Sequence, residues 1–162
     1  MKRIKPGPGQ ESVWDYPRPP LLEPVQKKVK VVFNGVTIAE SSKAYRVLET
    51  SHPPTYYIPP QDVDTRYLIP VEGRTLCEWK GQAAYFDVLV EGHRAARAAW
   101  IYPSPNDSFK AIAGHFCFYP SKMDACYIEG EQVQAQAGDF YGGWITKNIV
   151  GPFKGSSGTM FW

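Results

Sequence analysis

The stretch Val29-Lys-Val-Val-Phe-Asn34-Gly35-Val-Thr-Ile-Ala39 decides the fold class. Two runs rich in β-branched residues flank Asn-Gly, the dipeptide that two-residue hairpin turns favour because both of its residues tolerate a positive φ. The sequence therefore predicts an antiparallel β-hairpin over residues 29–39.

Two further segments repeat this pattern of strand, turn and strand. One covers residues 84–102 around Glu91-Gly92, and the other covers residues 124–134 around Glu129-Gly130. Short strands separated by Gly-containing turns are typical of antiparallel sheets. The sequence predicts a mainly β protein with two antiparallel sheets built from hairpins.

The remaining segments add short elements to this framework. Residues 44–50 and 56–58 favour strands, because His52-Pro53-Pro54 stops a helix between them. Residues 59–64 and 109–113 have the capping residues and prolines of short helices, so one or two short helices are expected. Residues 67–70 are predicted to lead into a loop.

Length and composition favour one domain over residues 1–162. Prolines and charges dominate residues 1–24, which we expect to be an extended arm that Trp14 and Tyr16 attach to the body. Residues 151–162 are expected to pack on the surface as a C-terminal tail.

The charge pattern names no macromolecular partner. A net charge of +2 without a basic stripe predicts no nucleic-acid binding. No apolar run follows the first basic residues, so neither a signal peptide nor a membrane partner is expected. The three cysteines do not form a disulfide pattern, as expected for a reduced, cytoplasmic protein.

Several ordered motifs together resemble the domain-of-unknown-function 427 family over nearly the whole chain. They are Val13-Trp-Asp-Tyr-Pro-Arg-Pro-Pro20, Val47-Leu-Glu-Thr-Ser-His-Pro-Pro54, Cys77-Glu-Trp-Lys-Gly81, Ala99-Trp-Ile-Tyr-Pro103 and Phe140-Tyr-Gly-Gly-Trp144. The resemblance implies a β-tent-like pair of sheets but no agreed activity.

A nucleotidyltransferase label that accompanies some naming of this family makes a metal-dependent transferase the least favoured alternative. Such an enzyme needs a Gly-Ser turn before spaced carboxylates that hold Mg²⁺. The Asp-x-Asp pair Asp62-Val63-Asp64 precedes Gly155-Ser156 instead of following it. We interpret the two acids as part of a first helical turn.

The cysteines raise the question of a zinc site. The chain has no Cys-x-x-Cys spacing, although His115 and Cys117 with Cys77 and Cys126 could in principle form a Cys₃His set. Alternation along a strand favours burial of these side chains instead. We predict neither a bound metal nor another cofactor.

Three residues are candidates for catalysis. His52 lies in a stiff turn and Glu49 precedes it, so that either could move a proton. Cys77 lies near Lys80, whose charge could favour a thiolate nucleophile. A buried Cys77 and a His52 bonded to a loop carbonyl are the structural alternatives.

Cations and aromatic residues near predicted strands are candidates for ligand binding, because together they suit a planar or phosphorylated small molecule. They are Arg46, Tyr57, Lys80, Tyr85, Trp100 and Tyr102.

Our first hypothesis is that the chain is a β domain that binds a small ligand. In a catalytic version of this hypothesis, the domain is an enzyme that acts on a small polar or nucleotide-like substrate. Our second is a protein-interaction or homo-oligomerisation module that uses the arm and the tail.

Overall fold

The hairpin over residues 29–39 lies at one edge of a four-stranded sheet. The structure is a computed structural model that describes residues 1–138 and 140–162. Asn34 and Gly35 have φ of 47° and 73°, the positive values that both central positions of a type I′ turn require. The strands before and after this turn pair in antiparallel register, so the hairpin prediction is confirmed.

Short strands account for most of the regular structure. Within the described residues they are, in chain order, β1 (Glu11–Ser12), β2 (Leu21–Pro24), β3 (Val29–Phe33), β4 (Val36–Ser41), β5 (Tyr45–Leu48), β6 (Thr55–Tyr57), β7 (Leu68–Cys77), β8 (Gly81–Val90), β9 (His93–Ile101), β10 (Cys117–Phe118), β11 (Ala125–Ile128), β12 (Glu131–Gln132), β13 (Gln134–Ala135), β14 (Trp144–Ile145) and β15 (Ile149–Val150).

These strands form two four-stranded sheets and three smaller ones within the described residues. The larger sheets have the orders β10-β9-β8-β7 and β12-β11-β3-β4, and a third sheet has the order β2-β5-β6. All pairs in these three sheets are antiparallel, whereas β1 and β15 pair in parallel. The mainly β, hairpin-built class is confirmed, but the strands divide among more than the two predicted sheets because prolines and turns interrupt them.

The helices are short and all of the 3-10 type in the part of the chain that the structure describes. They are Val13–Asp15, Pro60–Asp62, Thr65–Tyr67, Asp107–Ile112 and Pro120–Lys122. There are more of them than the one or two predicted, because a proline or a single capping side chain suffices for one turn. The helix Val13–Asp15 lies in the predicted extended arm, where the Ser12 side chain accepts from the Trp14 N–H.

The predicted loop at residues 67–70 is wrong. The long strand β7 begins at Leu68 and contains Pro70. Proline is tolerated there because β7 is an edge strand, and its pairing with β8 shifts register between Pro70 and Arg74. The strand β7 contributes Thr75 and Cys77 to the cavity described in the next subsection.

Alternation along the sheet of β7 to β10 divides the buried side chains between two clusters. On β9, Ala99 packs in the larger core against the other four-stranded sheet, while Trp100 faces a second cluster. Phe118 and Cys117 on β10 divide in the same way. Successive side chains of a strand point to opposite faces, so one sheet supports both the core and the site described below.

The arm and the tail both contact the rest of the chain. Trp14 Nε1 donates to the Pro152 carbonyl oxygen at 2.9 Å, and its ring lies 5.4 Å from that of Trp162. Val13 and Tyr16 are buried against Leu48.

Among residues 1–138 and 140–162, no helix has both the length and the apolar character needed to cross a membrane.

Candidate functional site

A cavity of about 390 Å³, which we call the aromatic cavity, opens between β5, β6 and the sheet of β7 to β10. Its volume is in the range typical of small-molecule sites. Eight of the nine residues singled out in the sequence line it: Glu49, His52, Tyr57, Cys77, Lys80, Tyr85, Trp100 and Tyr102. The structure thus brings these eight side chains together, although they come from separate segments of the chain.

The floor of the aromatic cavity is formed by aromatic rings on neighbouring strands. Tyr85 on β8 pairs with Trp100 on β9, and Trp100 pairs with Cys117 on β10. The Tyr57 ring lies 6.5 Å from the Trp100 ring and 6.2 Å from the Tyr102 ring. Burial raises the pKa of Tyr57 and Tyr102 above the usual value of 10, so both hydroxyls stay neutral donors or acceptors.

Lys80 is a buried cation on the wall of this cavity. Its side chain is only 8% exposed, and its Nζ lies 5.8 Å from the centre of the Tyr102 ring and 6.0 Å from that of Phe109. The turn that carries Lys80 is fixed by Asn106, whose N–H donates to the Lys80 carbonyl oxygen at 3.0 Å. Among the described residues, no carboxylate forms an ion pair with Lys80.

His52 and Glu49 lie together at another part of the wall. His52 Nε2 is 3.7 Å from Glu49 Oε2, and the same oxygen is 3.6 Å from Arg18 Nε. Burial lowers the pKa of His52 from 6.5 to about 4, and the charges of Lys154, Arg18 and Lys80 add to this effect. The imidazole is therefore neutral at neutral pH, and its contact with Glu49 is not an ion pair.

Gln136 holds the other side of the His52 ring. Its Oε1 accepts from the Gly143 N–H at 3.0 Å, and its Nε2 donates to the Lys154 carbonyl oxygen at 2.6 Å. The same Nε2 lies 3.4 Å from His52 Nδ1. The partner of His52 is thus a side chain from a distant segment and not the loop carbonyl considered in the sequence.

The segment Phe140–Gly142 closes one side of the cavity. The Tyr141 ring contacts the His52 ring edge-on at 4.9 Å, and Lys154 Nζ lies 5.5 Å from the centre of the Tyr141 ring. A Cβ on Gly142 would overlap the ring of Trp100. Glycine is therefore required where this backbone crosses the tryptophan.

Cys77 lines the cavity at the end of β7 and is partly exposed. Nearby, Thr75 Oγ1 and the Tyr85 hydroxyl form a hydrogen bond of 2.8 Å. In contrast, Cys117 and Cys126 are buried, and burial raises the pKa of both thiols. Among the three cysteines, Cys77 has the access that a nucleophile would need.

Arg46 does not line the aromatic cavity. It lies in a second cavity of about 270 Å³, which we call the ion-pair cavity. Its Nε donates to Glu23 Oε1 at 2.6 Å, and its Nη1 is 3.2 Å from Glu11 Oε2. Burial alone would lower the pKa of Arg46, but the two carboxylates raise it above its usual value.

The carboxylates considered for a transferase site lie elsewhere. Asp62 Oδ2 accepts from Ser41 Oγ at 2.6 Å, and Asp64 pairs with Arg66 at 2.6 Å while capping the next helix. Within residues 1–138 and 140–162, no group of three or more His, Cys, Asp or Glu side chains is placed to hold a metal ion.

Sequence reasoning missed Gln136, Tyr141, Gly142 and Lys154 as parts of the site. The signal that could have indicated them is the run Phe140-Tyr-Gly-Gly-Trp144, where glycines between aromatic residues mark a close approach of backbone to a ring. Gln136 and Lys154 have no such signal, because a lone polar residue in an irregular segment fits many surface positions.

Comparison with models of known protein families identifies one family that matches this chain. A family model described as Domain of unknown function (DUF427) matches residues 21–129. No curated protein matches the chain. The matched range contains β2 to β11 and hence most of the wall of the aromatic cavity, including His52 and Lys80.

Proposed function

The chain belongs to the family Domain of unknown function (DUF427), and because that description names no activity, we propose a function from the site itself: the aromatic cavity binds a small planar anion. The observation that carries the proposal is Lys80, a cation that is 8% exposed and has no carboxylate partner among the described residues. A buried charge is costly unless something compensates it. A bound anion would supply that compensation.

The surroundings of Lys80 suit the rest of such a ligand. Trp100 and Tyr119, whose rings lie 4.6 Å apart, and Tyr57 and Tyr102 present apolar faces to the cavity. Planar rings pack well on aromatic side chains, and a few polar groups then fix the orientation. Lys154, which also lines the cavity, supplies a second positive charge.

The first experiment measures thermal stability against nucleoside monophosphates, sugar phosphates and small carboxylic acids, each with and without Mg²⁺, Mn²⁺ and Zn²⁺. A ligand at one hundred times its Kd stabilises the folded state by about 2.7 kcal/mol, which raises the Tm by several degrees. A response that required a metal and a nucleotide would favour the transferase alternative.

The matched pair of variants is Lys80→Met and Lys43→Met. Methionine keeps most of the apolar stem of lysine but removes the charge. Lys43 is exposed and lies outside the aromatic cavity. We expect Lys80→Met to abolish the ligand response and Lys43→Met to retain it. An unchanged response in Lys80→Met would contradict the anion role.

A second candidate function, protein interaction or homo-oligomerisation, is favoured by the exposed end of the tail. Met160 is 74% exposed and Phe161 is 95% exposed, and large exposed apolar side chains next to each other favour contact with another protein. The test is the molecular mass in sedimentation of the protein and of the double variant Met160→Ser, Phe161→Ser. A monomer in both cases would count against this candidate.

A further inference from the structure

We propose that Gln136 fixes His52 as a hydrogen-bond donor, so that His52 and Glu49 together select a planar ligand whose edge carries an acceptor beside a donor. This inference rests on the proposed function, because it names the chemical class that the aromatic cavity would bind. Gln136 is in this view a positioning residue, which acts through His52 and does not itself need to touch the ligand.

Two backbone groups fix the orientation of the Gln136 side-chain amide. Its oxygen faces the Gly143 N–H at 3.0 Å, and its nitrogen faces the Lys154 carbonyl oxygen at 2.6 Å. A flipped amide would place two donors together at Gly143 and two acceptors together at Lys154. The orientation is therefore determined, and Gln136 is only 4% exposed.

The orientation of Gln136 determines the tautomer of His52. The Gln136 nitrogen has one N–H left after its bond to Lys154, and it lies 3.4 Å from His52 Nδ1. A neutral imidazole has one donor and one acceptor nitrogen. Because Gln136 can only donate here, Nδ1 is the acceptor, and the proton of the ring is on Nε2.

The ligand would contact His52 and Glu49 as a neighbouring pair of polar groups. His52 Nε2 and Glu49 Oε2 are 3.7 Å apart, which is too far for a good hydrogen bond between them. One is a donor and the other is an acceptor, and both line the cavity. An amide or amidine edge, in which a donor and an acceptor are neighbours, would bond to both at once.

The other charged and titratable groups around His52 do not change this assignment. Arg18 Nε lies 3.6 Å from the same carboxylate oxygen of Glu49. Tyr141 presents its ring to the imidazole. Lys154 and Lys80 are close enough for their charges to disfavour the imidazolium. Burial and these cations together keep His52 neutral, and Lys80 would bind the anionic group of the ligand.

The ligand class is therefore a planar heterocycle with a neighbouring donor and acceptor, joined to an anionic group. A nucleoside monophosphate has this combination, since the base supplies the edge and the phosphate supplies the charge. The aromatic rings would pack on the heterocycle in more than one orientation, so they would not by themselves select which edge of the heterocycle faces His52. Hydrogen bonds to Glu49 and His52 would select that edge.

The tautomer is tested by nitrogen NMR of the histidine side chains at neutral pH. We expect His52 to carry its proton on Nε2 in the wild-type protein. In Gln136→Glu, the new carboxylate would accept from Nδ1, so we expect His52 to become doubly protonated at a higher pH than in the wild type. A proton on Nδ1 in the wild type, or an unchanged titration in the variant, would overturn the positioning role.

The ligand class is tested by calorimetry with AMP and with purine riboside 5′-monophosphate. The second compound keeps the ring acceptor and the phosphate but lacks the amino donor. We expect it to bind at least tenfold more weakly, because it cannot donate to the Glu49 carboxylate and so loses one of the two hydrogen bonds that would hold the edge. Equal affinities that are both lost in Lys80→Met would overturn this inference alone. No Lys80-dependent binding of either compound or of any other anion in the stability screen would overturn the proposed function and this inference with it.

Discussion

The aromatic cavity and the ion-pair cavity each contain a largely buried cation, and the two cations differ in whether carboxylates pair with them. Arg46 in the ion-pair cavity contacts two carboxylates of its own chain, Glu11 and Glu23. Lys80 in the aromatic cavity has none among the described residues. The difference teaches that two cations of similar burial can have different roles: Arg46 links segments of the fold through its ion pairs, whereas the charge of Lys80 is not compensated in this way.

The largest expected effect comes from removing the paired cation. Arg46→Met removes the guanidinium between Glu11 and Glu23 and loosens the arm from β5, so we expect the free energy of unfolding to fall by about 3 kcal/mol, the low end for buried ion pairs, because solvent screens the two partly exposed carboxylates. Urea denaturation measures this change. Ligand binding in the aromatic cavity should persist, and its loss would show that the two cavities are not independent.

The next effect is a pH dependence specific to the aromatic cavity. Because the pKa of His52 is lowered to about 4 in the folded protein, the unfolded chain binds more protons than the folded one between pH 6.5 and pH 4. Stability therefore falls as the pH decreases through this range, by about 2 to 3 kcal/mol from this residue.

His52→Asn is the variant that isolates this contribution. It removes the titrating group, so urea denaturation at a series of pH values should give a flatter profile for the variant between pH 6.5 and pH 4. Equal slopes for the variant and the wild type would mean that His52 is more accessible to water than the structure indicates.

A smaller effect is expected where the backbone crosses the floor of the aromatic cavity. Gly142→Ala would force a methyl group against Trp100, and such overpacking costs about 2 kcal/mol. Gly7→Ala is the matched control, because the φ of Gly7, like that of Gly142, lies outside the left-handed region and a Cβ there meets only the flexible side chain of Gln10. An equal loss of stability in both variants would show that the contact with Trp100 is not the cause.

The smallest effect on stability is expected at the unpaired cation itself. Lys80→Met replaces a buried charge by an apolar side chain of similar size, so the free energy of unfolding should change by less than about 1 kcal/mol. The contrast with Arg46→Met would then separate a cation that stabilises the fold from one that does not. A loss of stability as large as that of Arg46→Met would show that Lys80, like Arg46, stabilises the fold.

Local patterns explain why so much of the fold could be predicted. The hairpins around Asn34-Gly35, Glu91-Gly92 and Glu129-Gly130 depend on turn residues that are adjacent in the sequence, and all three are present. The start of β7 could not be predicted, because Pro70 indicates a loop unless the strand is known to lie at an edge.

Part of the site could be predicted, both for residues on strands such as Tyr57 and Trp100 and for residues in turns such as His52 and Lys80. Alternation along β6 and β9 places Tyr57 and Trp100 in the aromatic cavity, but the same rule groups Arg46 with His52 incorrectly. The strand β5 ends at Leu48, and Ser51 in the turn that follows has φ of 72°, so strand alternation does not continue as far as His52. The contacts of Gln136 depend on long-range packing that no local pattern encodes.

The tryptophans give the protein an optical property that follows from where they lie. Trp79 and Trp100 line the aromatic cavity, Trp14 and Trp162 contact each other between the arm and the tail, and Trp144 is fully buried in the larger core. A bound heterocycle would quench the fluorescence of the first pair alone, whereas unfolding would shift the emission of all five. The intrinsic fluorescence of the chain therefore distinguishes occupancy of the cavity from loss of the fold without any added label.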